Sequence, residues 1–397
     1  MNPILSKNFV LNNKFYTILL FLIFLIPLSL IIGNAATNIN IILITIFFLS
    51  KLTYDKNLKF LIYDNNLAIL IFFVAIAIKD NFFYEGFNLK SIYLIKFYFL
   101  FLSVGYIFNK KKEILSIFTN FLLIILVIFS FDIAYQYNFG RDILNIASGS
   151  LHRYSGCMGT EWIAGSYISK FALISLLTLL STAKYKYINI FLILLYFLAI
   201  LISGERMALI NYFFTILIFI SIFTYKKYFR IWDIFLIFFV LALSFAIFFQ
   251  SLDDARKRIY TIDILLKLKL ASKTAKVINL SKHDQNTIEY ETKKNNTHFD
   301  IFASSIKIFK KNYLIGTGTD KFLENCQSYE KEELYCESHS HNIYLNILSE
   351  QGIIIFLMFI YVISFILFSN FSIKKNQNYL ILLIVILIFL NPLSVGG

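Results

Sequence analysis

Long apolar runs separated by short polar clusters set the plan of this chain. Eleven runs read as membrane spans, near residues 15–33, 38–50, 60–79, 91–108, 114–132, 163–183, 187–203, 207–224, 231–250, 343–370 and 378–393. An α-helix rises 1.5 Å per residue, so about 20 apolar residues cross roughly 30 Å of hydrocarbon. The second run is short and is expected to tilt little or to be partly re-entrant. The first follows Lys7 and Lys14. It is longer than a signal-peptide core and more spans follow, so it reads as a first membrane helix.

One stretch breaks the alternation. From about Ser251 to Asn342 the chain is polar, which divides it into nine spans in 1–250, a large loop in 251–342, and two spans in 343–397. Within the loop, Phe299, Phe302, Ile306 and Phe309 recur at helical spacing, and Lys307, Lys310 and Lys311 lie off that stripe. Residues Thr297 to Asn312 are therefore expected to form an amphipathic helix, with Thr297 and Asp300 as a capping-box start. The Lys/Asn-rich stretch from Lys267 to Asn296 is expected to be mobile. An odd span count leaves the end at Asn391–Gly397 outside, so a twelfth span is expected if the chain is truncated there.

Composition agrees with this pattern. Hydrophobic residues make up 58% and charged residues 15%, against roughly 25% charged in soluble domains. Mean hydropathy is +0.70. The fold class is an all-α polytopic membrane protein of about 11 helices. A net charge of +13 could suggest nucleic acid, but the lysines have a topological pattern. Lys51, Lys56 and Lys59, Lys110 to Lys112, Lys184 and Lys186, Lys226, Lys227 and Arg230, and Lys374 and Lys375 fall in alternate loops. The opposite short loops hold only Lys79, Lys90, Arg141, Arg153 and Arg206. The positive-inside rule then puts the N-terminus in the cytoplasm and the large loop outside, which is the periplasm in a two-membrane envelope.

Ionisable residues are almost absent from span centres, with Lys96 an exception. Ion-coupled carriers place such groups at mid-membrane depth, so their scarcity counts against one. The candidates for chemistry gather at the outer ends of spans. Ser203-Gly204-Glu205-Arg206 is a tight outer turn. Its arginine reads either as an interfacial snorkelling side chain or as a guanidinium fork for phosphate oxygens. His152-Arg153-Tyr154-Ser155-Gly156, continuing through Glu161, Gly165, Ser166 and Tyr167, reads as a close-packed turn or an ordinary structured loop. Arg256 and Arg258 read as a solvated face or as anion ligands.

The sharpest candidate is Ser338-His339-Ser340-His341-Asn342-Ile343-Tyr344-Leu345. His341-Asn342 opens a span, where free backbone N–H groups favour an anion, and histidine titrates near neutrality as a general base should. Gly316-Thr317-Gly318-Thr319 lacks the Gly-Lys-Ser/Thr ending of a phosphate loop and reads as a plain turn. No cluster has metal-ligand spacing. Cys326 and Cys336, with nine residues between them, lie in the external loop, where an oxidising compartment permits a disulfide. Cys157 is the odd cysteine and could compete.

In shared order and on one side, these motifs resemble the O-antigen ligase and O-antigen polymerase superfamily. The family hallmark is His-Asn, nine residues, then Gly-x-x-Gly, after a large periplasmic loop. Here stand His341, Asn342, nine residues and Gly352, with Ile355 in place of the second glycine. Ser338 to Gly352 resembles the family's His-Pro-His-Asn-x-Tyr-Leu-Gln block, with Ser340 for Pro and Asn346 for Gln. Ser203 to Arg206 is similar to its Ser-x-x-Arg block, and Arg153 to Tyr167 to its earlier outer-loop motif.

The resemblance implies a C-class glycosyltransferase architecture in the bacterial inner membrane, with the site on the periplasmic face. It implies an undecaprenyl-diphosphate-linked glycan as donor and a glycan hydroxyl as acceptor, on lipid A-core or on a growing polysaccharide. Ligase and polymerase differ in that acceptor, and both remain open. No metal, nucleotide or other cofactor is implied, and no nucleic acid partner. Arg206, with Arg256 or Arg258, would neutralise the diphosphate, and His341 would orient or deprotonate the acceptor. Arg153, Glu161 and Asn342 would contact substrate. A lipid-linked glycan flippase or other polysaccharide transporter is the alternative, and it calls for charged residues lining a mid-membrane cavity. A non-enzymatic scaffold would leave the His-Asn and Arg blocks unexplained.

Overall fold

The computed structural model describes residues 3–62, 64–84, 87–110, 112–147, 153–159, 161–177, 186–225, 230–251, 298–328, 336, 339–340 and 342–369. Among these the secondary structure is helical, apart from isolated bridges such as the antiparallel one between Arg141 and Ala147. The helices are α1 (Pro3–Phe24), α2 (Ile26–Ile32), α3 (Asn34–Tyr54), α4 (Asp64–Phe83), α5 (Leu89–Tyr93), α6 (Ile95–Lys110), α7 (Lys112–Phe139) and α8 (Ala164–Leu177). They continue as α9 (Lys186–Ser203), α10 (Arg206–Tyr225), α11 (Ile231–Ser251), α12 (His298–Lys311), α13 (Phe322–Ser328), α14 (Ile343–Asn346) and α15 (Gly352–Ser369).

Among the described residues, the first ten apolar runs coincide with helical segments. Among the described residues, six stretches are long and apolar enough to cross a bilayer, or seven if α1 and α2, bent by 44°, count as one. The run at 378–393 lies outside the described residues, as do 267–296 and the Thr297 cap.

Two expectations are corrected. The second span is not short: α3 runs for 21 residues. Its N-terminal turns are polar, so an apolar count misses them, but several of their side-chain groups find partners inside the bundle. Thr37 Oγ1 donates to Ser29 O at 2.9 Å, Asn40 Nδ2 to Leu22 O at 3.1 Å, and Lys96 Nζ to Asn38 Oδ1 at 2.7 Å. Polar groups paired in this way tolerate an apolar surround. The amphipathic helix α12 forms where expected, but its buried face is rotated from the aromatic stripe. Ile301, Ser304, Ser305 and Ile308 are buried, and Ile306 is exposed. The small serines allow close packing, which a count of large apolar residues does not detect.

Two apolar cores hold the bundle. One joins α2, α7, α8, α9, α10 and α11 around Leu126, Ile168, Tyr196, Phe197 and Tyr212. The other joins α1, α3, α4, α6 and α15 around Leu19, Ile44, Phe48 and Leu102. A small third core packs α12 on α13 through Ile301, Ile308, Phe322 and Cys326, and Cys326 is joined to Cys336 by a disulfide.

Candidate active site

The Ser203–Arg206 turn is anchored by its glutamate. The Glu205 carboxylate accepts from Gly165 N at 2.6 Å, from Ser166 N at 3.0 Å and from Ser166 Oγ at 2.6 Å. It thus caps the start of α8, where unsatisfied N–H groups and the helix dipole favour an acceptor. Burial pushes the Glu205 carboxyl up, while those hydrogen bonds and the nearby Arg153 charge oppose the shift. The Arg153 guanidinium lies over the Trp162 ring, 5.3 Å from its centroid, within cation–π range. Glu161 and Trp162 beside it are exposed.

The outer loop ahead of α8 hangs from the end of α7. Asp132 accepts from Ile143 N at 2.9 Å and from Cys157 N at 2.7 Å, and Gln136 Oε1 accepts from Gly156 N at 2.9 Å. Tyr167 OH donates to Pro27 O at 3.0 Å, tying α8 to the bend between α1 and α2. The Arg153-to-Tyr167 motif and the Ser203–Arg206 turn therefore form one polar cluster at the ends of α7, α8 and α9. Burial also pushes the Cys157 thiol up to about 12, and the Asp132 carboxylate adds to the shift.

The His-Asn block is built around Asn342, which is buried. Its Oδ1 accepts from Tyr344 N at 3.0 Å and from Leu345 N at 3.1 Å, which makes it the N-cap of α14. This corrects the expectation of free N–H groups at that helix start, because Asn342 itself occupies two of them. Ser340 Oγ donates to Asn342 O at 2.9 Å. Asn346 Oδ1 faces both Ser340 N and Ser340 Oγ at 3.4 Å, and Asn346 Nδ2 donates to Glu350 Oε2 at 3.3 Å.

Beyond α14 the span is interrupted. Ile347–Gln351 form a π turn, and Gly352 adopts φ +75°. The groups released there are taken up by the turn at 313–318. Thr317 N donates to Ser349 O at 3.0 Å, Gly318 N to Glu350 O at 2.8 Å and Ile353 N to Tyr313 O at 2.8 Å. Gly316 and Gly352 allow this pairing. A Cβ on Gly352 would stand 2.4 Å from Leu314 O, and one on Gly316 would stand 2.4 Å from Glu350 C and O. The glycine-rich stretch is a turn, as expected, and its role is to fill a break in a membrane helix. π turns often mark functional segments.

Arg153 and Glu161 therefore belong to the α7–α8–α9 cluster, while Asn342 belongs to the α14 block. Arg206 is the first residue of α10. His341, Arg256 and Arg258 lie outside the described residues. Among the described residues no group of His, Cys, Asp and Glu is arranged to hold a metal. Among the buried charges whose role escapes a sequence reading are Lys79, Asp80 and Glu350. The first two form an ion pair at 2.9 Å at the end of α4. An adjacent Lys-Asp dyad closing an apolar run is the available signal, but it reads as interfacial loop.

Residues 191–360 match the family model for O-antigen ligase. No curated protein and no solved structure matches the chain. The matched stretch runs from within α9, through the Ser203–Arg206 turn, to the Asn342 block and the π turn. Across residues 191–360, then, the chain carries a domain similar to O-antigen ligase, the superfamily that its motifs resemble.

Proposed function

We propose that this protein transfers a glycan from an undecaprenyl-diphosphate carrier to a hydroxyl of an acceptor glycan, at the outer face of the bacterial inner membrane. One observation carries the reading. A single family match encloses both the arginine turn at 203–206 and the His-Asn block at 341–342. The bundle of apolar helices supplies the membrane setting for a lipid-linked donor.

The roles follow from the chemistry. The acceptor oxygen attacks the anomeric carbon of the donor sugar, and the bond from that carbon to the diphosphate oxygen breaks. The leaving group is undecaprenyl diphosphate, whose charge grows as the bond lengthens. Arg206 sits on a turn fixed by the Glu205 cap, which suits a preorganised cation for that charge, and Arg256 or Arg258 adds to it. His341 takes the acceptor proton. Asn342 fixes the helix start next to it. Arg153, stacked on Trp162, and the exposed Glu161 offer sugar or phosphate contacts.

In the same reading the chain is organised as 1–250, a large periplasmic loop at 251–342, and 343–397, with eleven spans and a cytoplasmic N-terminus. The test is purified protein in lipid discs with an undecaprenyl-diphosphate-linked glycan, alone or with a lipid A-core acceptor. Elongated lipid-linked glycan marks a polymerase, and glycan on the core marks a ligase. Movement of intact donor across the membrane with no transfer would favour the flippase reading instead.

A further inference from the structure

The Lys79–Asp80 pair lies far from the matched stretch in sequence and has no part in the motifs, yet it is bound to the α14 block. Both residues are buried at the end of α4. Lys79 Nζ donates to Ile315 O at 2.8 Å and to Glu350 O at 3.1 Å, so one ammonium joins the inserted turn at 313–318 to the break in the membrane helix. Asp80 Oδ1 holds that ammonium at 2.9 Å. Asp80 Oδ2 accepts from Thr319 N at 3.0 Å and also from the Thr319 hydroxyl. Gln351 Nε2 donates to Thr319 Oγ1 at 2.9 Å. Tyr84 OH adds a bond to Gly316 O at 2.5 Å.

A break in a helix at membrane depth leaves carbonyls that water cannot reach, and each must find an internal donor. A buried ammonium is an expensive way to supply one, and it is retained only with a paired carboxylate and full hydrogen bonding. Lys79 has both. The consequence reaches Asn342 through the π turn. Glu350 carries the carbonyl that Lys79 holds, and its carboxylate accepts from Asn346. Asn346 faces Ser340, and Ser340 donates to the Asn342 carbonyl. A shift of the π turn therefore moves the residues on both sides of position 341.

We infer that Lys79 and Asp80 are positioning residues for glycosyl transfer, setting the register of the π turn and so the place of the helix start that Asn342 caps. The inference rests on the functional reading above for its kinetic part only. Neither residue touches substrate in this scheme, so donor affinity is not their business and the turnover step is.

The experiment compares wild type with Lys79→Met/Asp80→Asn and with Thr319→Val, all in lipid discs with an undecaprenyl-diphosphate-linked glycan. The double substitution removes both charges together and so avoids an unpaired buried ion. Donor Kd, binding stoichiometry and kcat are read separately. Amide hydrogen exchange at 342–352 is read without substrate. Misplacement of about 1 Å costs up to about 100-fold in rate. The double variant should therefore lose about 10- to 100-fold in kcat, with stoichiometry and donor Kd unchanged within about twofold. Exchange at 342–352 should rise at least about tenfold while α8 and α9 stay protected.

Thr319→Val removes one hydroxyl and should show the same pattern at about threefold to tenfold in kcat. It decides the matter if the double variant does not fold. Wild-type kcat and exchange in Thr319→Val would overturn the inference. So would a fall in stoichiometry with unchanged kcat per bound site, the mark of a purely structural role. If wild type shows no transfer but the exchange result holds, the functional reading fails and the register role stands.

Discussion

Substituting Gly352 with alanine tests the packing on which the α14 block depends. Gly352 sits at φ +75°, where an L-residue costs about 1–2 kcal/mol. Its new Cβ would meet Leu314 O at 2.4 Å, Gly316 N at 2.5 Å and Leu314 C at 2.6 Å. All three are backbone atoms, so no rotamer change relieves the overlap. Retreat by about 1 Å would stretch Ile353 N to Tyr313 O and Gly318 N to Glu350 O past hydrogen-bond range, and these now stand at 2.8 Å each. A buried group left unsatisfied costs about 1–3 kcal/mol. The total for Gly352→Ala is about 3–5 kcal/mol, since strain and bond loss overlap.

The assay is thermal unfolding in detergent, read by light scattering, beside Ile354→Ala. Ile354 is an exposed apolar residue two positions further along, so its truncation should cost under about 1 kcal/mol. For a large chain each kcal/mol lowers Tm by about 2–4 °C, so Gly352→Ala should melt roughly 6–20 °C below wild type. Equal melting of Gly352→Ala and wild type would refute the close backbone approach.

Four further outcomes are expected. Glu205→Ala leaves three donors at the start of α8 without an acceptor and should cost about 2–3 kcal/mol in the same unfolding assay. Because burial raises the Glu205 carboxyl, the folded state favours its protonated form. That stability is fully present below the unfolded pKa and is lost as pH rises through the folded pKa, so wild type should gain on Glu205→Gln from pH 8 to pH 5, and a gain in the other direction contradicts the assignment. Cys157, with its thiol raised to about 12, should alkylate in the native protein at a rate still climbing past pH 10, and a plateau near pH 9 would contradict that burial. Impermeant thiol labelling of intact cells should reach Lys282→Cys and spare Lys111→Cys, and the reverse pattern would overturn the orientation.

The helices were legible because a span is a local property. Ten apolar runs announced helical segments. Two were cut short: α3, where Thr37, Asn38 and Asn40 find partners on other helices, and α7, which continues past the expected end at 132 to Phe139. The Glu205 turn was legible as a tight turn between two apolar runs, but its role as a cap on α8 was not, since Gly165 and Ser166 meet it only after folding. The π turn was the least legible element. It depends on backbone groups near 315 meeting backbone groups near 350 and on a lysine from α4, none of which a local pattern encodes. Gly316 and Gly352 were visible as letters, and only their contact explains them. The serine face of α12 was missed for a related reason: close approach selects small residues, and periodicity counts large ones.

In the proposed reaction this chain transfers a lipid-linked glycan with His341 as the base. Single-turnover transfer of labelled glycan from undecaprenyl diphosphate, with donor binding measured on the same samples in lipid discs, tests it most directly. Wild type should release undecaprenyl diphosphate as the acceptor gains glycan. His341→Ala should bind donor within about twofold of wild type and transfer about 10²–10⁴-fold more slowly. Transfer by His341→Ala at the wild-type rate, or donor binding by wild type with no release of undecaprenyl diphosphate, would contradict the account.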